Sequence, residues 1–478
     1  MWQSNLTLAD DSIWYRSDDP LKTRALTPPA IPDGYLDGAY DTVCTASHYD
    51  DALTLAAVAE AALCNNPQTR EAYANARVQA AQVGIAKSAY LFSVNDNVSG
   101  SLNRASPEQP NRSNPFSNFN NNIVASYLLY DFGNRDANLE NAHQLLQAAS
   151  ATQNSIVQSV LLNAIQAYYL VQAGIAALDA AHETERASEE SFKAAEARYN
   201  AGLATPSDKL QAQTLFAQNT LTRITAEGTL KTAYGTLANV MGLAANQPLK
   251  LISGNSIPPQ QNIDQDINTL IEQAHTRRPD LMASEAQLKA AQASIASSRA
   301  AAKPTVSLSV SNNFQDGSNL SSSNNSALGV TVSIPIFDGY GPSYRIRSAE
   351  AIAEVRSAQR DQLRLQISLD VWRAYQNLRT ANESISAATV LVSSAEESSR
   401  VTLGRYKAGV GNIIDNLNAQ GALATARQQK IQANLNWNIA RATLAQSIGG
   451  LDNAMVQLLP ESRNQQTGLE TPSLGRQP

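Results

Sequence analysis

The sequence predicts a mainly α-helical protein with a smaller amount of β-structure, built as a tandem duplication. Three observations lead to this prediction. Two motifs, RYNAGLATPSDKLQAQ from Arg198 and RYKAGVGNIIDNLNAQ from Arg405, share Arg-Tyr, Ala-Gly, Asp, Leu and Ala-Gln at matching places. Apolar residues recur at steps of three and four through two stretches of about 65 residues, which is typical of long helices with a narrow apolar seam. Four segments of about ten residues alternate apolar and polar side chains, as β-strands do.

The repeat extends well beyond the two motifs. The two halves align without a gap from 129–213 onto 336–420, and the segment NNPQTREAYANARVQAA aligns with RRPDLMASEAQLKAAQA upstream. Because such internal repeats dictate architecture, we expect two structural repeats, 60–243 and 270–450. Three further segments remain: an N-terminal extension (1–59), a linker between the repeats (244–269) and a C-terminal segment that ends in a disordered tail (451–478).

Each repeat is predicted to contain the same elements in the same order. A proline opens a short helix at Pro67 and at Pro279, because proline suits the first helical turn. Two strands follow, and they are joined by a polar loop, at 103–121 in the first repeat and 313–327 in the second. A helix of about 65 residues comes next, and an Ala-Gly pair ends it, since glycine adopts the left-handed cap conformation at low cost. A returning helix completes the repeat.

The strands have one apolar face and one face of Ser, Asn and Thr. In TVSLSVSNNF, for example, Val306, Leu308 and Val310 alternate with serines. This pattern is what a transmembrane barrel strand needs, and a soluble sheet with one wet face produces it equally well. Asp96 on the apolar face of the first strand argues against exposure to lipid, unless it lies near an interface. Four strands cannot close a membrane barrel, so a membrane interpretation requires several chains to share one barrel.

The order strand, loop, strand, Asp-Gly turn, long helix, RYxAG and helix occurs twice, and it resembles the TolC-type outer membrane efflux channel family. The matching segments are LYDFGNR (129–135), IPIFDGYG (334–341), RYNAGLATPSD (198–208) and RYKAGVGNIID (405–415). The resemblance implies a homotrimer, with an α-helical barrel of long coiled-coil helices in the periplasm. It also implies a shared twelve-stranded transmembrane β-barrel, four strands per chain, surrounded by outer membrane lipid. Residues 1–59, 244–269 and 451–478 would lie around the middle of the helical tunnel.

The function implied by the resemblance is a passive exit duct of a tripartite efflux or type I secretion system. Its partners would be an inner-membrane pump and a periplasmic adaptor, or membrane fusion protein. The alternative from the residues alone is a structural coiled-coil protein, a surface or stalk protein that conducts nothing.

The resemblance also assigns candidate site residues. The family's acidic pair at the periplasmic gate falls on Asp415 and Asn418, so only one acid is present, and its basic link residue falls near Gly411. Three copies of Asp415 around an axis would favour cations. Alternatively, Asp208 and Asp415 are acids that the helix dipole favours at a helix start. The expected adaptor contacts are the two turns: Gly202, Leu203, Ala204 and Thr205 in the first, and Gly409, Val410 and Gly411 in the second.

Composition argues against several other functions. The net charge is −6, and a phosphate-binding surface needs a basic excess, so nucleic acid is not an expected partner. The four histidines are scattered, and His182-Glu183-Thr184-Glu185 lacks the second histidine of a metalloprotease motif. We therefore expect no enzymatic activity, no cofactor and no metal site.

Two further features bear on the cellular compartment. Cys44 and Cys64 are close in sequence and can form a disulfide, which would indicate export, or they can be two unrelated thiols. No run of 18 apolar residues occurs, so no transmembrane helix is expected. The first residues are polar and acidic, which leaves a cytosolic protein or a mature exported chain whose signal has been removed.

Overall fold

The computed structural model describes residues 19–36, 44, 52–104, 106, 114–252 and 266–452 of the 478-residue chain. The described residues form eight α-helices, four β-strands and a short 3-10 helix at Arg24–Leu26. The strands are β1 (Ser93–Asn103), β2 (Phe116–Tyr130), β3 (Thr305–Gly317) and β4 (Leu320–Ser333). The helices are α1 (Leu55–Asn65), α2 (Pro67–Ser88), α3 (Asn134–Asn200), α4 (Pro206–Val240), α5 (Ile267–Arg277), α6 (Pro279–Ala300), α7 (Gly341–Lys407) and α8 (Ile413–Ser447).

The chain divides into two compact units, and each unit draws on both halves of the sequence. Unit 1 comprises Met1–Pro29, Ala72–Gln153 and Pro279–Arg364, and it contains the four strands. Unit 2 comprises Ala30–Glu71, Asn154–Arg278 and Leu365–Pro478, and it contains both RYxAG turns.

The four strands form one antiparallel sheet in the order β1-β2-β3-β4. The predicted loops are too long. Only Ser318 and Asn319 separate β3 from β4, so no loop covers 313–327, and β2 already begins at Phe116, inside the segment expected to be a loop. Runs of Asn and Ser made these segments resemble loops, but in the structure they continue β2, β3 and β4, with Asn and Ser on both faces of the sheet.

The register places most apolar residues of the four strands on one face, which we call the apolar face, while Val124 and Leu128 of β2 lie on the other face opposite Ser311 and Ser307. Val94 pairs with Ala125, Ala125 with Val310, and Val310 with Leu328, so these four residues form one row across the sheet. The prediction of a shared apolar face is confirmed for them. An irregularity between Leu128 and Tyr130 shifts the register, so that Tyr130 lies opposite Val306.

The long helices α3 and α7 have 67 residues each, and they bury the predicted seam. Val160, Ala164 and Val171 of α3 are buried, as are the equivalent Ile367 and Val371 of α7. One 18-residue window of α3 has a mean hydropathy of 1.4, and 44% of it is buried within the described structure. Because a buried seam accounts for this hydropathy, the window is weak evidence for a membrane-spanning helix.

The core of unit 2 lies where the N-terminal segment meets α3 and α4. Leu55, Leu63, Ile165 and Met241 are essentially inaccessible to solvent there. Cys44 and Cys64 form a disulfide at this core, with their Cα atoms 5.4 Å apart.

Two glycines show the duplication at the level of packing in unit 2. Gly242 follows α4 with a φ of 73°, and a Cβ there would lie 2.6 Å from the carbonyl oxygen of Asn65. Gly449 follows α8 with a φ of 74°, and its Cβ would lie 2.9 Å from the carbonyl oxygen of Arg277. Each returning helix therefore ends against the residues that precede the proline of its own repeat's short helix, and only glycine fits there.

Candidate functional site

The two RYxAG turns are the candidate site, and they have the same backbone fold. In the first tip, residues 198–205, Gly202 has a φ of 71° and the Leu203 N–H donates to the Arg198 carbonyl at 2.8 Å. In the second tip, residues 405–412, Gly409 has a φ of 80° and the Val410 N–H donates to the Arg405 carbonyl at 3.0 Å. These bonds satisfy carbonyls that the end of a helix would otherwise leave without partners.

Both tips expose an apolar side chain at the equivalent position. Leu203 is 70% exposed, and Val410 is also 70% exposed. Single exposed aliphatic side chains are common on protein surfaces, but here both copies of the turn carry one at the same position.

The helix that follows the first tip begins with a complete capping box. The Thr205 side chain accepts from the Asp208 N–H at 3.2 Å, and the Asp208 carboxylate accepts from the Thr205 N–H at 3.1 Å. The carboxylate of Asp208 is thus used to start α4.

The second helix begins differently. Asn412 caps α8 by accepting from the Ile414 N–H at 3.1 Å, and among the described residues no capping bond to the Asp415 carboxylate is present. Asp415 and Asn418 are both exposed, and they neighbour each other on α8 because residues three apart share a helix face. The structure therefore brings the two predicted gate residues together on an exposed face, with the Asp415 carboxylate available for another role.

Gly411 occupies the position where the family's basic residue would fall. A Cβ there would lie 2.9 Å from Cβ of Arg405 and 3.0 Å from the backbone N of Tyr406. The second tip is therefore folded back closely onto the end of α7, and it cannot hold a basic residue at 411 without moving.

A contact between the two tips was missed by sequence reasoning. Nη1 of Arg198 donates to the Tyr406 carbonyl at 3.2 Å, and the guanidinium lies 5.1 Å from the centre of the Tyr406 ring. Tyr406 is 4% exposed, and burial raises the pKa of its hydroxyl, with Asp208 adding to the rise and Arg198 opposing it. Both residues stood in the repeated Arg-Tyr pair, and this repetition was the only signal that could have found them.

A second group that sequence reasoning missed is a buried polar cluster, in which α3 contacts α8. Ser191 Oγ accepts from Asn416 Nδ2 at 3.2 Å and from Gln420 Nε2 at 2.7 Å. Asn416 is fully buried, and among the described residues neither amide oxygen has a hydrogen-bond donor. Farther along α8, Arg427 forms salt bridges with Glu183 of α3 at 2.7 Å and with Glu396 of α7 at 3.3 Å.

The remaining predictions concern chemistry. Within the described residues, no group of three or more His, Cys, Asp or Glu side chains is placed to hold a metal ion. The expectation that cofactors and metals are absent stays a prediction.

Comparison with known proteins identifies the family. The model of the outer membrane efflux protein family matches residues 58–243 and 270–450. The chain is 32% identical over 414 residues to Protein CyaE of Bordetella pertussis (strain Tohama I), covering 85% of this chain and 86% of that protein. It is 25% identical over 349 residues to the cation efflux system protein CusC of Escherichia coli (strain K12), covering 70% and 73%.

Solved structures agree in fold. A crystal structure of CusC superposes with a TM-score of 0.75 at 21% identity, covering 88% of this chain and 97% of that one. The outer-membrane channel OprN gives a TM-score of 0.73 at 20% identity, covering 91% and 98%. The protein is a non-enzymatic channel component of the bacterial outer membrane, and it extends into the periplasm. It serves as an exit duct of efflux or secretion systems. The chain belongs to the outer membrane efflux protein family.

Proposed function

We propose that three copies of the chain assemble into one duct, which receives its cargo from an inner-membrane pump through a periplasmic adaptor. The observation that carries a shared barrel is the sheet, which among the described residues has four strands and two unpaired edges, β1 and β4. Within a membrane an unpaired edge is not tolerated, and the smallest closed barrels use about eight strands. Two copies would supply eight strands and three copies twelve, and membership of the outer membrane efflux protein family favours three, with β4 of one copy pairing with β1 of the next.

The helix α7 supports the same assembly from unit 2. Its buried seam includes Ile367, Val371 and Ala374. A second apolar stripe at Leu365, Leu369 and Trp372 is exposed in the single chain, at 75%, 40% and 47%. A helix with two apolar stripes has neighbours on two sides, and the second neighbour would be a helix of another copy.

The two tips would meet the adaptor. Leu203 and Val410 are the apolar side chains that a partner could cover, and the flanking residues Gly202, Ala204, Thr205, Gly409 and Gly411 would set the turn that presents them. The test is a pull-down with the purified adaptor that acts with this duct. Leu203→Asp and Val410→Asp should each weaken capture, whereas Leu221→Asp, which changes an equally exposed leucine in the middle of α4, should not.

Asp415 would act as the selectivity residue at the periplasmic end of the duct, and Asn418 would add a polar side chain that carries no charge. Three Asp415 carboxylates around an axis would attract cations, in the way that rings of acidic side chains do in cation channels. Asp208 provides a matched control, since it occupies the same place in the other repeat but its carboxylate caps α4.

The experiment compares Asp415→Asn with Asp208→Asn in planar lipid bilayers. Cation preference, measured as the reversal potential in a salt gradient, should fall in Asp415→Asn and stay at the wild-type value in Asp208→Asn. Equal preference in all three proteins would contradict the role of Asp415. A detergent-extracted protein that is monomeric by light scattering and gives no conductance steps would contradict the duct and favour the structural coiled-coil alternative.

A further inference from the structure

The strands of the sheet meet in two different ways. β1 pairs with β2 and β3 with β4 inside one repeat, whereas β2 pairs with β3 across the boundary between the two repeats. The outer edges of β1 and β4 have no partner strand among the described residues. Such an edge offers free backbone N–H and C=O groups to another chain. At the boundary between the repeats, the second strand of one repeat meets the first strand of the next, and β4 and β1 of two copies would meet in the same way.

The strands of the two repeats are equivalent residue by residue. Ser93, which begins β1, corresponds to Thr305, which begins β3, at the shift of 212 that aligns residue 65 with 277. β2 corresponds to β4 at the shift of 207 that aligns residue 129 with 336. With these shifts every pair of the β1–β2 hairpin maps onto a pair of the β3–β4 hairpin, so that Ser93 with Ser126 becomes Thr305 with Ser333. The two hairpins therefore have the same register.

The ends of β2 and β4 differ. The last residues of β2, from Tyr127 to Tyr130, extend beyond β1, and their partner strand is β3 alone. The equivalent residues of the second repeat, 334–337, follow the end of β4 at Ser333 and belong to no strand in the single chain. Three large apolar side chains of this segment are exposed: Ile334, Ile336 and Phe337. This segment lacks the neighbour that β3 provides for the end of β2.

We propose that β4 of one copy pairs with β1 of the next copy in the register that joins β2 to β3. This proposal rests on the proposed function, because it takes the shared barrel as given. The pair of Ala125 with Val310 defines the register. Adding 207 to 125 gives Val332, and subtracting 212 from 310 gives Val98. Val332 of one copy therefore lies opposite Val98 of the next.

This register keeps both faces of the sheet continuous from one copy to the next. Val332 and Val98 both belong to the apolar face. On the other face, Thr331 lies opposite Ser99 of the next copy, as Val124 lies opposite Ser311 within the chain. A register displaced by one residue would instead place apolar side chains opposite polar ones.

The unpaired segment after β4 also gains a neighbour in this register. Residues 334–337 of one copy lie beside residues 94–96 of the next, as 127–130 lie beside 306–308 within the chain. The proposal thus accounts for the exposed apolar side chains that follow β4.

The test is disulfide formation between copies of the purified protein in detergent, after a mild oxidant is added. Cysteines are introduced in pairs, with one at Thr331 or Ser333 of β4 and the other at Asn97 or Ser99 of β1. Opposed residues of antiparallel strands have Cα atoms about 4.5–5.5 Å apart, which suits a disulfide. Diagonal neighbours lie about 7–8 Å apart, which is too far. The native cysteines are already bonded to each other.

Two of the four combinations should link the copies. Thr331→Cys with Ser99→Cys, and Ser333→Cys with Asn97→Cys, should each convert the monomer band of a non-reducing denaturing gel into a covalent trimer. The crossed combinations, Thr331→Cys with Asn97→Cys and Ser333→Cys with Ser99→Cys, use the same four cysteines and should stay monomeric. Wild-type conductance steps before oxidation show that each variant has folded.

The other outcomes separate the register from the shared barrel. Linkage by a crossed combination would place β4 two residues away along β1 and would overturn the proposed register, while the shared barrel would stand. Absence of linkage in all four variants would also overturn it, if light scattering shows three copies. A wild-type protein that is monomeric by light scattering would instead contradict the shared barrel, and with it the proposed function.

Discussion

The contact between Arg198 and Tyr406 predicts how firmly the two tips are held together. Arg198 makes one hydrogen bond from its guanidinium to the Tyr406 carbonyl, at 3.2 Å, and lies over the ring at 5.1 Å. A hydrogen bond from a charged donor contributes about 1.5–3 kcal/mol. A partly buried cation–π contact adds about 1 kcal/mol. Because water replaces part of both in the separated state, we expect Arg198→Ala to cost about 2 kcal/mol, which is roughly 30-fold in the equilibrium between joined and separated tips.

The assay is single-channel recording in planar bilayers, combined with thermal unfolding in detergent. Arg198→Ala should raise the fraction of time in the conducting state and lower the unfolding temperature. The matched control is Arg405→Ala, which removes the exposed arginine at the equivalent place of the second repeat and should leave both quantities unchanged.

The hydroxyl of Tyr406 sharpens the test. It is buried and has no hydrogen-bond partner among the described residues. Tyr406→Phe keeps the ring and the carbonyl, so it should be neutral or stabilise by up to about 1 kcal/mol, since an unpaired buried hydroxyl is removed. The reasoning is refuted if Arg198→Ala matches wild type in both assays, or if Tyr406→Phe is as harmful as Arg198→Ala.

Three other predictions concern stability, measured by thermal or denaturant unfolding in detergent. Gly242→Ala should destabilise by at least about 1–2 kcal/mol, because φ is positive there and the new Cβ meets the Asn65 carbonyl, whereas Gly228→Ala in the open middle of α4 should be neutral or stabilising. Reduction of the disulfide between Cys44 and Cys64 should cost about 3 kcal/mol for the 20-residue separation, and non-reducing gels should show the change in mobility. Burial raises the pKa of the Tyr406 hydroxyl above the ordinary 10.0, so the unfolded chain loses this proton at a lower pH than the folded protein. The folding stability linked to the protonated hydroxyl is therefore complete below pH 10 and is lost as the pH rises further. Tyr406→Phe should flatten this alkaline loss of stability.

The sequence predicts the helices and the order of the elements, but it does not predict the contacts between them. Periodicity and capping residues placed α3 at Asn134–Asn200, because a seam of small and aliphatic side chains repeats over the whole helix. Sequence failed at the strand ends, because Asn and Ser dominate turns and Asn is depleted in ordinary strands, so their runs predicted loops. It also failed for the buried cluster of Ser191, Asn416 and Gln420, since Ser191 lies 225 and 229 positions away from the two amides and gives no signal until α3 and α8 are packed together.

The two copies of the Arg-Tyr pair have different roles in the candidate site. The structure uses the arginine of the first copy, Arg198, and the tyrosine of the second, Tyr406, and it leaves Arg405 and Tyr199 exposed. The carboxylates diverge in the same way, because Asp208 caps its helix and Asp415 does not. A turn that only reversed the chain would retain equivalent roles in both copies. Because the roles are divided, the contact joins Arg198 of the first tip to Tyr406 of the second. A change that separates the tips therefore removes this contact while leaving both helix caps intact. The stability of each hairpin and the closeness of the two hairpins are therefore set by different residues, and mutations should be able to alter one without the other.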